Sequence, residues 1–290
     1  MKILLGVDST AASQVAVTEV AARPWPQGAS VEVVSVVDLA HTMNAPELNG
    51  ALMGSADQAI RSAAQLLQSS GIESTSVVLT GDPKDVMVDY SGQTGADLVV
   101  VGSHEASAVV RFLLGSVARA VVRFAPCSVE IVRSRSGAGA MKVLLATDGS
   151  QCSEAAVRSV ASRPWPAGTE IRAISVVELS AAWFRTPYPP YFDPKAMEEL
   201  RGEAMKRAQD AVAAAEQILA DAGLPESGTV VIPSASPQEM ILNQAAEWGA
   251  DLIALGSHGR RGASRFLLGS VSEQVAFHAT CSVEIVRARK

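Results

Sequence analysis

Short apolar runs alternate with longer amphipathic stretches along this chain, and the alternation predicts strands that alternate with helices. In the first half, strands are predicted at Lys2–Val7, Ser30–Val37, Ser74–Leu79, Asp97–Val101 and Ser128–Val132. Helices are predicted at Ala11–Ala22, at Met53–Ser70, after the cap pair Asp82-Pro83, and at Ser116–Phe124. Strands and helices that alternate in this way build a parallel sheet with helices on both faces, so the fold class is α/β.

The same pattern occurs twice. KILLGVDS at 2–9 recurs as KVLLATDGS at 142–150, RFLLGSV at 111–117 recurs at 265–271, and CSVEIVR at 127–133 recurs at 281–287. Two copies of this length predict tandem domains rather than a solenoid of short repeats. We therefore expect a first domain at 1–134, a flexible linker at 135–141 and a second domain at 142–290.

The second copy carries an insertion between residues 180 and 249. Its segment WFRTPYPPYF, at 183–192, is rich in aromatic residues, and the inserted stretch extends to about residue 194. Two interpretations stay open: a hydrophobic loop folded on its own domain, or a lid or contact surface over a pocket.

Residues 249–273 carry the sharpest chemical signal. The apolar run Leu252–Leu255 predicts a buried strand that ends at Gly256, and a loop rich in glycine and arginine follows it. Ser270 and Glu273 then have the spacing of a capping box, which predicts that a helix starts there. A strand, a glycine loop and a helix N-terminus together favour phosphate binding, because backbone N–H groups and the helix dipole attract anions. A plain turn between strand and helix remains the alternative.

The spacing of these glycines is more specific. Gly256-x-x-Gly259, nine residues and then Gly269-Ser270 resembles the G-2x-G-9x-G-[ST] signature of the ATP-binding branch of the universal stress protein family. With the repeats, the resemblance covers nearly the whole chain. It implies two doubly wound domains, each a five-stranded parallel sheet of order 3-2-1-4-5, so that Asp148 and the glycine loop face each other across a crevice.

The resemblance also implies a site for ATP, with or without Mg²⁺, in the second domain. Its expected cofactor-binding residues are Ala146, Thr147, Asp148, Val176, Leu255, Gly256, His258, Gly259, Arg260, Gly269, Ser270, Val271 and Ser272. Asp148 is interpreted either as a helix N-cap or as a contact to the base or sugar, and Val176 as a core residue that also lies against adenine. His258 is either a turn residue or a contact to the ribose and phosphates.

The first copy departs from the signature. Glu105 replaces the second glycine, and Ala106 and Ser107 stand where the second copy has Arg260 and Arg261. An added carboxylate and two lost positive charges disfavour a polyphosphate. The weaker site expected there comprises Asp8, Val36, Gly102, His104, Gly115, Ser116 and Val117.

A hydrolase triad of Ser257, His258 and Asp148 is disfavoured, because neighbouring residues such as 257 and 258 seldom point at each other and no nucleophile elbow is present. No catalytic residue is assigned. The histidines and cysteines have no metal-ligand spacing, so no metal site is expected.

Charge and cysteine content narrow the function classes. The first 140 residues include nine basic and thirteen acidic residues, and the other 150 include fifteen basic and seventeen acidic residues. Acidic residues outnumber basic ones in both halves, so neither half has the basic surface of a nucleic-acid-binding protein. No apolar run is long enough to span a membrane. Three cysteines without a C-x-x-C motif favour a reducing cytoplasm. Cys152, near a helix start, remains a weak redox candidate.

The leading hypothesis is therefore a cytoplasmic tandem stress protein that binds an adenine nucleotide and regulates rather than catalyses efficiently. Two alternatives remain: a slow ATPase or a phosphoryl- or adenylyl-transfer enzyme, and a partner-binding protein that has lost nucleotide.

We also expect the last strands, Cys127–Arg133 and Cys281–Arg287, to pair with each other across a pseudo-two-fold axis. Without this pairing, each strand would be an edge strand with exposed apolar side chains. If they pair antiparallel, Cys127 and Cys281 lie at opposite ends and form no disulfide. A homodimer and the identity of a protein partner are left open.

Overall fold

The computed structural model describes residues 1–40, 45–103, 114–135, 139–177, 194–231, 236–260 and 268–288. The first half contains β1 (Lys2–Gly6), α1 (Ala11–Ala22), β2 (Ser30–Val37), α2 (Pro46–Ser69), β3 (Ser74–Thr80), α3 (Pro83–Gln93), β4 (Leu98–Gly102), α4 (Ser116–Phe124) and β5 (Ser128–Val132). The second half contains β6 (Lys142–Ala146), α5 (Gln151–Ala161), β7 (Glu170–Val176), α6 (Pro194–Asp221), β8 (Glu226–Val231), α7 (Pro237–Trp248), β9 (Leu252–Gly256), α8 (Ser270–His278) and β10 (Ser282–Val286).

The predicted elements of the first half are present, most of them within one residue of their expected ends. Asp82 caps α3 through the amide of Lys84, with Pro83 in the first turn, as predicted. The exception is α2, which begins at Pro46 rather than at Met53. Its first turns contain Gly50 and mostly exposed side chains, so the apolar period that marks a helix begins only later.

All ten strands form one sheet in the order β3-β2-β1-β4-β5-β10-β9-β6-β7-β8. Each half has the expected order 3-2-1-4-5, and every pairing within a half is parallel. The halves join through the antiparallel pair β5 and β10, which confirms the predicted pairing of the last strands. Cys127 and Cys281 are both buried and free, as expected from that arrangement.

The two faces of the sheet differ at this junction between the halves. On one face a single apolar core is continuous across it and includes Val129 and Ile131 of β5 with Val283 and Ile285 of β10. On the opposite face, each half has an apolar core of its own. Since side chains alternate along a strand, Glu130 and Glu284 lie on this second face, between the two separate cores.

Glu130 and Glu284 lie directly opposite each other in the register of β5 and β10, and both are buried. Arg23 donates to Glu130 at 2.6 Å and Arg163 donates to Glu284 at 2.6 Å. Burial alone lowers the pKa of Arg23, but the charge and hydrogen bond of Glu130 outweigh it and leave the pKa raised. Two like charges are thus held in a buried position only because each has its own guanidinium partner. The repeated RPWP sequence supplies both arginines.

A second pair of arginines crosses the junction in a reciprocal way. Arg133, just after β5, donates to the carbonyl oxygens of Ala276 in α8 at 2.8 Å and Cys281 at 3.1 Å. Arg287, just after β10, donates to the carbonyl oxygen of Val122 in α4 at 2.8 Å. Each half therefore supplies a cation to the C-terminal turn of a helix in the other half, where the helix dipole favours it. Burial lowers the pKa of Arg133 to about 10.

Two described residues of the predicted linker contact the two halves, one each. Arg135 donates to Glu19 of α1 at 2.9 Å, and the amide of Met141 donates to the hydroxyl of Thr169 at 3.2 Å. In the part of the chain that the structure describes, no helix is both long and apolar enough to cross a bilayer.

Candidate functional site

The candidate site lies where the neighbouring parallel strands β6 and β9 end. Ala146 of β6 pairs with Leu255 of β9, and both residues are buried. Thr147 and Asp148 continue beyond β6, while Gly256 ends β9 and His258 lies in the loop that follows. The strand order reverses between these two strands, and ligands of doubly wound sheets bind at such a reversal. The predicted neighbourhood of Asp148 and the glycine loop is present.

Asp148 connects the start of α5 to the glycine loop. Its Oδ1 accepts from the amide of Ser150 at 3.0 Å, and its Oδ2 accepts from the amide of Arg260 at 3.1 Å. Burial by itself raises the pKa of Asp148, but hydrogen bonds from Ser150 and Arg260 outweigh it and the pKa is lowered. The carboxylate is therefore ionised at neutral pH and faces the loop.

The alternative that Asp148 caps α5 is wrong. The N-cap is Ser150, whose hydroxyl accepts from the amide of Ser153 at 3.2 Å. Asp148 lies two residues earlier and holds the turn that leads to the cap. In the first half the cap is Thr10, and Asp8 accepts from its amide and hydroxyl. The cap role belongs to the later residue because its backbone is the last extended one before the helix.

The three signature glycines have different physical roles. A Cβ at Gly256 would lie 2.5 Å from the carbonyl carbon of Cys152, so this glycine lets β9 approach the backbone of α5. A Cβ at Gly259 would lie 2.8 Å from Oδ2 of Asp148, and one at Gly269 would lie 3.2 Å from the carbonyl oxygen of Ser257. Gly256 and Gly269 therefore allow close approach of backbone segments, and Gly259 leaves room beside the carboxylate of Asp148.

The helix α8 starts at Ser270 as predicted, but the capping box of Ser270 and Glu273 from which this start was predicted is absent. The N-cap of α8 is Gly269, Ser270 is already helical, and no side chain caps this end. Glu273 instead pairs with Arg123 of α4 in the other half. The pattern misled because Ser270 has the right spacing, whereas the backbone enters the helix one residue earlier. The first turn of α8 therefore has no side-chain acceptor of its own, which suits an anion.

Ser257, His258 and Ser272 hold the loop together. The hydroxyl of Ser272 donates to the carbonyl oxygen of Gly256 at 2.7 Å. The amide of Gly269 donates to the carbonyl oxygen of Ser257 at 2.8 Å. Oγ of Ser257 lies 3.0 Å from Nδ1 of His258, so the expectation that residues 257 and 258 do not point at each other is wrong. Burial, and secondarily the charge of Arg287, lower the pKa of His258.

This serine–histidine contact does not make a nucleophile. Ser257 is only 3% exposed, so its hydroxyl is out of reach of a substrate. The hydrogen bonds to the carboxylate of Asp148 come from the amides of Ser150 and Arg260 and from the side chains of Ser150 and Ser153, and among the described residues none comes from the His258 ring. The geometry thus supports the sequence argument against a triad, for a different reason.

The other predicted residues of the second half lie on the elements that meet at this edge of the sheet. Val176 is the last residue of β7. Val176 and Val271, in the first turn of α8, are both partly buried and pack against the apolar core that is continuous across the two halves. The side chain of Arg260 is 42% exposed, with Nε 3.8 Å from Oδ2 of Asp148. Ser270 is exposed. Arg261, Arg265 and the aromatic segment 183–192 lie outside the described residues.

The first half has a cavity of about 250 Å³ at the equivalent place. Six of its seven predicted residues line it, namely Asp8, Val36, Gly102, Gly115, Ser116 and Val117. His104 and Glu105 lie outside the described residues. Sequence reasoning missed Pro83 and Met87, which form a wall from the first turns of α3. The cap pair Asp82-Pro83 was the available signal, since a helix that follows a strand starts at the strand's carboxyl end.

Within the described ranges, no group of three or more histidine, cysteine or acidic side chains is placed to hold a metal ion.

Comparison with known proteins supplies the family. The model of the universal stress protein family matches residues 1–133 and 140–287. A universal stress protein of Mycolicibacterium smegmatis is 28% identical over 303 aligned residues, which span 99% of this chain and 97% of that protein. One of Mycobacterium tuberculosis is 32% identical over 215 residues, or 71% of this chain and 66% of that protein.

The fold has solved counterparts. The crystal structure of a universal stress protein from Archaeoglobus fulgidus superposes with a TM-score of 0.68 at 19% identity, covering 99% of this chain and 96% of that one. Both matched segments, their tandem arrangement and the shared fold lead to one assignment: the chain belongs to the universal stress protein family.

Proposed function

We propose that the chain binds ATP, or a related adenine nucleotide, at the crevice of its second half and acts as a cytoplasmic stress-response regulator. The observation that carries the proposal is the meeting of Asp148, the glycine loop and the uncapped start of α8 at one end of the sheet. The family membership supports it, since the intact G-2x-G-9x-G-[ST] spacing lies in this half.

The division of the crevice into two regions matches a nucleotide. Val176, which is only partly buried, provides apolar surface near the strand ends, with the buried Leu255 in the same core, and this surface is suited to a base. Asp148 offers an ionised acceptor to the donors of a base or sugar. The amides at the start of α8 and the Arg260 side chain suit phosphates, because the helix dipole and the guanidinium are both positive.

The first test is Gly259→Glu. This substitution copies Glu105 of the other half and introduces a carboxylate beside Asp148, where a Cβ alone would lie 2.8 Å from Oδ2. We expect it to remove most of the rise in melting temperature that ATP causes in the wild type, because it adds bulk and negative charge at the phosphate position.

The matched control is Ser270→Ala, which we expect to keep most of the ATP-dependent rise, since the backbone amides of the first turn remain. Melting is followed with and without ATP and Mg²⁺ for all three proteins. An unchanged shift in Gly259→Glu would mean that phosphate binds elsewhere. Following ATP turnover in the same samples separates a regulator from a slow ATPase.

A second expectation concerns stoichiometry. The first half lacks counterparts of Arg260 and Arg261 and has Glu105 in place of Gly259. The loss of two charge-assisted phosphate contacts, each worth roughly 1.5–3 kcal/mol, weakens binding by at least about a hundredfold. We therefore expect calorimetry with ATP and Mg²⁺ to give one nucleotide per chain.

The converse variant tests the same reasoning from the other side. Glu105→Gly combined with Ala106→Arg restores a glycine and one arginine to the first half, and we expect it to raise the stoichiometry toward two. Two equal sites in the wild-type protein would refute the asymmetry. A double variant that still binds one ATP would show that the loop is not what limits the first half.

A further inference from the structure

One edge of the ten-stranded sheet is a strand without the features that normally prevent pairing. Among the described residues, β3 pairs only with β2 and ends the sheet. Its sequence, STSVVLT, contains neither a charged residue nor a proline, and Thr75, Ser76 and Thr80 are exposed. Its register with β2 is continuous, so β3 has no bulge. Natural edge strands usually carry charges, prolines or bulges that stop another chain from pairing with them.

The opposite edge of the sheet, β8, is better protected. Its sequence, ESGTVV, includes a carboxylate at Glu226 and a glycine at Gly228. A Cβ at Gly228 would lie 2.2 Å from Cγ1 of Val212 and 2.5 Å from Oε1 of Glu216, so side chains of α6 come close to the strand backbone there. A glycine weakens a strand, and a charge discourages pairing at an edge. The two edges therefore differ, although each is the third strand of its repeat.

The hydrogen bonds between β2 and β3 show which backbone groups of β3 face outward. The amide of Val31 donates to the carbonyl oxygen of Glu73 at 3.0 Å, and the amide of Gly81 donates to that of Val37 at 3.1 Å. In a parallel pair, every second residue turns both its N–H and its C=O toward the neighbouring strand. The odd-numbered residues of β3 therefore face β2. The residues whose N–H and C=O face the free edge are Ser74, Ser76, Val78 and Thr80.

This arrangement of outward groups is complementary to itself. If Val77 lies opposite Val77 of a second, antiparallel copy, Ser76 lies opposite Val78 and Ser74 lies opposite Thr80. Each of these is a hydrogen-bonded pair, so the outward groups of both strands are all satisfied. A shift by two residues in either direction would leave an outward residue of each strand without a partner in the other β3. No charged side chain of β3 meets its own copy in this register.

The helices that flank β3 are compatible with the pairing. α2 packs over both β2 and β3. Since neighbouring strands are about 4.8 Å apart, the α2 helices of the two copies would lie two strand spacings apart, roughly 9.6 Å, which is a usual distance for packed helices. The pairing would also cover the exposed parts of Val77, Val78 and Leu79, which are only partly buried.

We propose that β3 is an interface between two copies of the chain, which pair their β3 strands antiparallel across a two-fold axis and so form one continuous sheet. The chain already uses this kind of contact within itself, since β5 and β10 form the antiparallel pair that joins its halves. The proposed contact extends the same sheet from its other edge, and it does not depend on nucleotide binding.

Sedimentation velocity of the full chain, without nucleotide, measures the association over about a hundredfold range of concentration, and we expect a dimer to form as the concentration rises. Ser76→Pro removes an N–H that faces the free edge and makes no bond to β2, so the chain should keep its fold. The dissociation constant of the dimer should rise at least about tenfold, because the two-fold axis makes each substitution act twice. The melting temperature at low concentration checks that the variant is folded.

Ser76→Lys is a second variant that protects the test from a folding artefact, since the exposed side chain is replaced without a change to the backbone. It should weaken the dimer by a similar factor, because lysine on an edge strand opposes pairing. The matched control is Thr229→Lys, at an exposed position on β8, which should leave the dimer unchanged.

Disulfide formation tests the register. In the proposed pair, residue 77 meets its own copy at a non-hydrogen-bonded position, where the Cα atoms lie about 4.5 Å apart and within reach of a disulfide. Val77→Cys should therefore give a covalent dimer under mild oxidation. Thr75→Cys should not, because residue 75 and its copy lie about 13 Å apart along the strands. The wild type, with its three free cysteines, gives the background.

The proposal is overturned if the chain stays monomeric over the whole range of concentration, or if the folded Ser76→Pro and Ser76→Lys variants dimerise as the wild type does. It is also overturned if Thr229→Lys weakens the dimer as strongly, or if the two cysteine variants form covalent dimers equally.

Discussion

Replacing Arg163 with methionine is expected to lower the free energy of unfolding by about 3–5 kcal/mol. Arg163 donates to Glu284 at 2.6 Å, and the two side chains are only 6% and 1% exposed. Methionine fills a similar volume but leaves Glu284 as a buried charge directly opposite the carboxylate of Glu130. The cost is that of an uncompensated charge rather than of lost packing.

The matched control is Arg158→Met, in α5, the helix that ends just before Arg163. Arg158 pairs with Glu154, but both side chains are more than half exposed, at 64% and 51%. A surface pair of this kind contributes about 0.5 kcal/mol or less, because water and salt screen it. Urea unfolding of the two variants beside the wild type measures the difference between a buried and an exposed pair.

A paired variant identifies the cause. Arg163→Met combined with Glu284→Met removes both charges, and we expect it to recover most of the loss, since an apolar pair of similar volume can replace a buried ion pair. If Arg163→Met costs no more than Arg158→Met, the junction does not depend on charge compensation. If the double variant is as unstable as the single one, packing rather than charge explains the loss.

Substituting alanine for Gly102 is expected to destabilise the protein by about 3 kcal/mol, the upper part of the usual range for overpacked sites. A Cβ at Gly102 would lie 2.3 Å from the carbonyl oxygen and 2.5 Å from the carbonyl carbon of Ala12. Those atoms belong to the backbone of α1, so β4 and α1 must separate to make room. Movement of that size also disturbs the core packed behind them.

Gly54→Ala is the control in the same half. Gly54 lies in the interior of α2, and a Cβ there would meet nothing within 4 Å. Alanine is the better helix former, so this substitution should stabilise the protein by about 0.5–1 kcal/mol. Thermal unfolding of both variants decides the matter: equal effects of the two substitutions would refute the close-approach explanation for Gly102.

Much of the fold is predictable because its signals are local. Strands and helices differ in the period of their apolar positions, which is visible within ten or so residues, and so α1, β2, α4 and β5 were predicted with the bounds that they have. The start of α2 was missed because the local signal is absent there. Its first seven residues lie largely outside the core and carry no apolar period.

The sequence predicted which residues belong to the candidate site better than it predicted the contacts between them. Asp148 and the glycines were found from spacing, and the structure brings them together. The exact cap of α8, the contact of Ser257 with His258 and the wall formed by Pro83 and Met87 were not found. Each depends on a backbone angle or on a neighbour distant in sequence, which spacing alone does not encode.

The sequence by itself determined the two repeats, the alternation of strands and helices, and the difference between the two glycine loops, since all three are written in local pattern and in the comparison of one half with the other. Only the tertiary structure decided that Glu130 meets Glu284, and that Arg133 and Arg287 reach helices of the opposite half. Those contacts join residues about 140 to 170 positions apart. They exist because an antiparallel register places two strand ends side by side, and that register is fixed by the packing of the whole sheet.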